Sequence, residues 1–234
     1  MALDRSKSDA REARQRSQVY GFLASIFSAE PTNHVLNELR RPPLNKILSA
    51  AGADFGTCLD QDENELIEAL ATEFSRLFIG PGKHIPPFSS VHMGSQPILW
   101  GEATKWVASF FTAVGFNPPA TRSNPPDHIA NELELLQTLA AAEADAALKN
   151  DREGVCSFRA LQNKFYQSHF SKWAPRFFNT VSKKAEIPFY QAFAELAKRF
   201  VESECDVLCK GEKGLLKPNL KSSNHTQNNF VGRD

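Results

Sequence analysis

The chain has 234 residues, enough for one globular domain or two closely packed halves with a proper buried core. Its 27 basic and 27 acidic residues cancel, so no clustered basic excess of the nucleic-acid-binding kind is present. Eighteen phenylalanines against three tyrosines and three tryptophans supply many apolar anchors without polar handles, as thick helix packing or an apolar groove requires.

Residues 1–16 are polar and charged, with no apolar core of secretory type, and no stretch approaches the ~20 apolar residues of a membrane span. A cytoplasmic location is expected. Of the four cysteines, Cys58, Cys156, Cys205 and Cys209, only the last two are close, and C-x-x-x-C without a nearby His is not a zinc framework. Free thiols in a reducing compartment are the expectation.

Helical periodicity then dominates. Val19, Phe22, Leu23, Ile26 and Phe27 recur on one helix face until Pro31 stops it. A second run, 33–51, is interrupted by Pro42-Pro43. Leu66, Leu70, Phe74, Leu77 and Phe78 form a third stripe, ending at Gly80-Pro81-Gly82 with Gly80 at a left-handed cap. The segment 80–97, rich in proline and glycine, reads as a long loop without regular helix, the kind that is usually functional or disordered. Leu99, Ala103, Trp106, Val107, Phe110, Phe111 and Val114 mark the next helix, closed by Gly115. A second Pro-rich loop spans 117–126.

A long helix follows from Ile129 to about Lys149, Ala-rich in its later part, where small side chains permit close helix approach. Further helical patterns run through Phe158, Leu161, Phe165 and Phe170, and through Phe189, Phe193, Leu196 and Phe200. From residue 211 the chain is polar and aperiodic, a disordered tail. The expected fold is all-α, a single bundle of eight or nine helices. Its divisions are an N-terminal half 1–117, a Pro-rich hinge 118–128, a C-terminal half 129–210 and the tail 211–234.

Catalytic chemistry finds no constellation. Gly82-Lys83 fails as a phosphate loop, because Leu77 stands where the first glycine belongs and His84 where Ser or Thr belongs. Arg40-Arg41 lies mid-chain before two prolines, without the apolar run of an export signal. His128 and Glu132 lie one helical turn apart, but two ligands are too few for a metal site. No catalytic residue, metal or cofactor is assigned. The run Asn124-Pro125-Pro126-Asp127-His128 reads as a helix start, with Asn124 as N-cap, Pro125 at the first helical position and Asp127 near the positive end of the dipole. That account leaves His128 unexplained. A carboxylate and an imidazole at a helix start suit a basic peptide, through charge-assisted hydrogen bonds.

Two segments taken together carry a resemblance. Residues 74–91, the helix within 101–115, and Pro126-Asp127-His128-Ile129 leading to Glu132-Leu133 resemble the TorD/DmsD family of molybdoenzyme-maturation chaperones, relatives of the NarJ type. The resemblance implies an all-helical chaperone, not an enzyme. It would bind the twin-arginine signal peptide of a molybdopterin-containing oxidoreductase, hold back export and assist cofactor insertion. It also implies leader binding around Pro125, Asp127 and His128, near a hinge through which some members exchange C-terminal halves, so the chain is expected as a monomer or a swapped homodimer. The peptide-binding set is Asp127, His128, Pro125, Pro126, Glu132, Glu134, Phe88, His84, Trp106 and Phe110. Two positions depart from the family pattern: Asn124 and Ser89 stand where acidic residues are frequent. The alternative reading is a helical-bundle enzyme or nucleotide-dependent regulator built on His128 and nearby carboxylates.

Overall fold

The computed structural model describes residues 2–94, 98–118 and 124–210. The expected tail 211–234 and the middle of the expected hinge, 119–123, lie outside the described residues. Ten α-helices account for most of the rest: α1 (Ala2–Ser28), α2 (Asn33–Arg40), α3 (Leu44–Ala50), α4 (Glu63–Phe74), α5 (Ser89–Met93), α6 (Glu102–Val114), α7 (Ile129–Leu148), α8 (Arg152–Ser168), α9 (Ala174–Lys184) and α10 (Pro188–Lys210). Among the described residues there is no strand, only an isolated antiparallel bridge between Phe88 and His128.

The long amphipathic stripes became helices, and where their ends differ from expectation the causes are local. α4 does not finish on a left-handed Gly80. The chain widens into a π turn over Ser75–Ile79, and Gly80 is extended, with φ −63° and ψ 165°. Gly82 takes the positive φ instead. α5 forms inside the segment expected to be free of helix, because Asp127 from another part of the chain caps it. α9 was not anticipated, although Phe177, Phe178 and Val181 share one buried face with Pro175 near its start.

The core has a double spine. α1 and α7 run antiparallel: Ser17 Oγ donates to the Gln137 carbonyl at 3.0 Å, while Arg14, a turn earlier, reaches Asp145. Approach is close enough that a Cβ on Gly21 would meet the Gln137 side chain at 2.5 Å. Ala140, Ala144 and Ala147 keep the α7 side of this seam thin. α9 and α10 pack against each other around phenylalanines, with Phe27 of α1 touching Phe78, Phe177 and Phe178. Phe22 and Phe55 both meet Phe193 of α10.

A buried ionic knot joins the two spines. Arg16 of α1 donates from Nε to Glu204 of α10 at 2.9 Å, from Nη1 to Glu143 of α7 at 3.1 Å and from Nη2 to Gln162 of α8 at 2.7 Å. Tyr20 adds its hydroxyl to Glu204 at 2.7 Å. Burial alone would pull the Arg16 guanidinium down, but its bonds to Glu204 and the negative charges of Glu204 and Glu143 outweigh it and raise its pKa well above the ordinary value. The guanidinium therefore joins four helices, pairing with carboxylates on α7 and α10 and with the neutral Gln162 amide on α8.

Candidate functional site

The two Pro-rich segments singled out in the sequence meet in space. Phe88 is extended (φ −124°, ψ 128°), and Pro87, which has no N–H to donate, offers its carbonyl to the Ile129 N–H at 2.8 Å. The Ser89 N–H donates to the Asp127 carbonyl at 3.0 Å, completing the bridge. The Phe88 and His128 rings lie edge to face, 5.3 Å apart.

Asp127 is fully buried. Its Oδ2 accepts the Ser90 N–H at 2.9 Å and faces the Ser89 hydroxyl at 3.4 Å, so it caps α5 across the loop junction. The helix start is therefore not the one expected. His128, not Asn124, is the N-cap of α7, and its Nδ1 accepts the Ala130 N–H at 3.2 Å. Asn124, Pro125 and Asp127 precede the helix: the Pro125 carbonyl accepts from the His128 N–H at 3.1 Å and from Asn131 Nδ2 at 2.9 Å. An acidic residue at position 89 would stand beside the buried Asp127 carboxylate, so Ser89 fits this arrangement on electrostatic grounds.

One turn into α7, Glu132 is also fully buried. Its Oε1 accepts from His169 Nε2 at 2.8 Å and its Oε2 from Trp173 Nε1 at 3.0 Å. Burial pushes this carboxyl above its ordinary range, against the pull of His169 and Trp173, and the Asp127 charge pushes the same way. His92 of α5 stacks on Trp173 at 5.5 Å and donates from Nε2 to the Pro86 carbonyl at 2.7 Å. Burial pulls the His92 pKa down.

Beside this buried assembly lies a groove of about 860 Å³, walled by Ser90, Met93, Ile98, Gly101, Trp106 and His169, with Glu102 and Lys105 at its edge. Trp106 lies nearly parallel to the His169 ring, 5.0 Å away at 14°, and stacks on Phe110 and Phe165 behind. Next to Ile98, Leu99 and Trp100 leave half or more of their surface in solvent, and Trp100 adopts φ 64°, a left-handed backbone that bulky residues rarely take. Ser90 Oγ, almost wholly buried in the groove wall, has no hydrogen-bond partner among the described residues.

Of the ten residues picked from sequence, Trp106 lines this groove and Phe110 supports it from within the core. Asp127, His128 and Glu132 lie buried next to it. Pro125 and Pro126 are half-buried before α7, and Glu134 is half-buried on it. Phe88 is half-buried against His128, and His84, also half-buried, packs its Nδ1 near the Gly82 carbonyl. Sequence reasoning missed His169, Ser90 and Met93, which carry no local pattern, and assigned Leu99 to a helix face although α6 begins only at Glu102. The run Ile98-Leu99-Trp100 immediately after a Pro-rich loop was the available signal.

Among the described residues no group of three or more His, Cys, Asp or Glu side chains is placed to hold a metal ion, and no helix is long and apolar enough to cross a membrane. The family described as nitrate reductase delta subunit matches residues 41–179. The chaperone protein TorD of Vibrio vulnificus is 25% identical over 212 residues, covering 83% of this chain and 94% of that one. The Tat proofreading chaperone DmsD of Salmonella typhimurium is 30% identical over 132 residues, covering 56% of this chain and 58% of its own. A solved redox enzyme maturation protein from Archaeoglobus fulgidus superposes with a TM-score of 0.46 at 24% identity, over 80% of this chain and 93% of that one.

Proposed function

Because the chain belongs to the nitrate reductase delta subunit family, we propose that it binds the twin-arginine signal peptide of a molybdopterin-containing oxidoreductase in the cytoplasm and holds the precursor while its cofactor is inserted. It is a chaperone of the TorD and DmsD kind, not an enzyme. The alternative of a helical-bundle enzyme using His128 and nearby carboxylates is set aside on the same grounds.

The observation that carries the peptide reading is the groove beside the Asp127–His128 junction, with Ile98 in its wall and the exposed Leu99 and Trp100 following it in the chain. Its volume and largely apolar wall suit the apolar part of a leader peptide, and burying that part there contributes ~25 cal/mol per Å² removed from water. Asp127 and His128 act in this reading by joining the two loops, because both are buried and engaged in capping. Contact with the arginines then falls to exposed carboxylates at the groove edge, of which Glu102, 2.8 Å from Lys105, is one. The loop 118–128 would serve as the hinge between halves, and exchange through it would give a swapped homodimer.

Calorimetric titration with leader peptides of co-encoded molybdenum oxidoreductases tests the proposal. A matching leader should bind, and replacing its two arginines by lysines should weaken binding about tenfold, since planar bidentate pairing is lost. Absence of binding to every such leader would sink it.

A further inference from the structure

We infer that Glu132 and His169 are a positioning pair for the groove wall: a buried carboxylate fixes an imidazole, which holds the Trp106 indole in place. The inference rests on the leader-binding reading for its consequence, though not for its geometry.

Glu132 has no exposed surface, so it cannot itself meet a ligand's charge. Both of its oxygens are already committed, to donors at the two ends of the single turn, Phe170–Lys172, that joins α8 to α9. Trp173 is fully buried and His169 almost so, yet His169 lines the groove. The bond at 2.8 Å fixes the imidazole about its own χ angles, and the Trp106 ring lies flat against it at 5.0 Å. Phe165 touches both rings from below. A loose indole at this wall would have to be ordered on binding, a cost that a pre-set ring avoids. His169 in turn needs its partner, because an imidazole in an aromatic pocket without one would leave a buried N–H unpaired.

This assigns Glu132 a different role from direct attraction of a basic peptide, and the two roles respond differently to substitution. Glu132→Gln removes the charge but keeps an acceptor for Trp173 and a polar partner for His169. Glu132→Ala and His169→Ala remove the link to Trp106. In a Trp100→Phe background, the tryptophan most open to solvent is gone and Trp173 is shielded, so acrylamide quenching of the free protein reports mainly on Trp106.

Quenching should rise about twofold or more in His169→Ala and Glu132→Ala and stay near the parent value in Glu132→Gln, as expected for a side chain released from packing. Affinity for a leader peptide carrying an arginine pair and an apolar run should fall about tenfold in the two alanine variants and by far less in Glu132→Gln. Unchanged quenching in a folded His169→Ala protein would overturn the inference whether or not any leader binds. An affinity loss in Glu132→Gln as large as in Glu132→Ala would also overturn it and restore the charge role. Leader binding absent from the parent protein, with the quenching pattern intact, would instead count against the proposed function alone.

Discussion

Glu132 and Glu73 are both buried carboxylates, yet their surroundings push them in opposite directions. Burial dominates at Glu132 and raises its pKa. At Glu73 burial is outweighed by Arg76, which donates from Nε at 2.6 Å and from Nη2 at 2.8 Å, and by the Glu186 N–H at 2.6 Å, so its pKa is lowered. The linkage signs therefore differ. Glu73 contributes stability above the ordinary carboxylate value of 4.5 and loses it as pH falls through its own lower value. The contribution of Glu132 is complete below 4.5 and is lost as pH rises through its raised value. Urea unfolding followed from neutral to acidic pH should show the stability gap of Glu73→Gln closing on acidification. Relative to the parent, Glu132→Gln should instead gain as pH rises. Gaps that move in the same direction for both variants would contradict this account.

At the level of elements, two helices show how ends are decided. α6 stops at Gly115, where φ is 69° and the cap N–H returns to the Phe111 and Thr112 carbonyls. A Cβ there would meet no atom within 4 Å, so Gly115→Ala isolates the backbone term. It should cost about 1 kcal/mol, read as a lowered urea midpoint with an unchanged m-value. An unchanged midpoint would mean the left-handed cap carries no strain. α7 shows the opposite case, a start that its own sequence misstates. Asn124-Pro125 offers a good local cap and first turn, but the Pro87 and Asp127 carbonyls take the Ile129 and Ser89 N–H groups, and that pairing holds the segment before Ile129 extended. The N-cap then falls to His128.

For the molecule as a whole, the knot at Arg16 is the decisive joint, because it couples α1, α7, α8 and α10. Arg16→Met leaves the Glu143 and Glu204 carboxylates buried without this cation, and should cost about 3–5 kcal/mol in global unfolding free energy. Adding Glu204→Gln should recover part of that loss, and a double-mutant cycle with no coupling between the two would refute the role. Nothing in residues 1–16, which read simply as polar, announced such a burial. What the sequence determined by itself was the set of apolar stripes, the proline and glycine breaks between them and the two motif segments that carry the family resemblance. Those signals are local, since a helix face repeats every three or four residues and a proline acts on its own turn. Only the tertiary structure decided which polar side chains face inward. Arg16 meets Glu204 across 188 positions, and Glu132 meets His169 and Trp173 across 37 and 41. No pattern within a helix encodes a partner that far away. It is the packing of the helices that converts Asp127 and Glu132, legible as exposed acids at a helix start, into the buried supports of a groove.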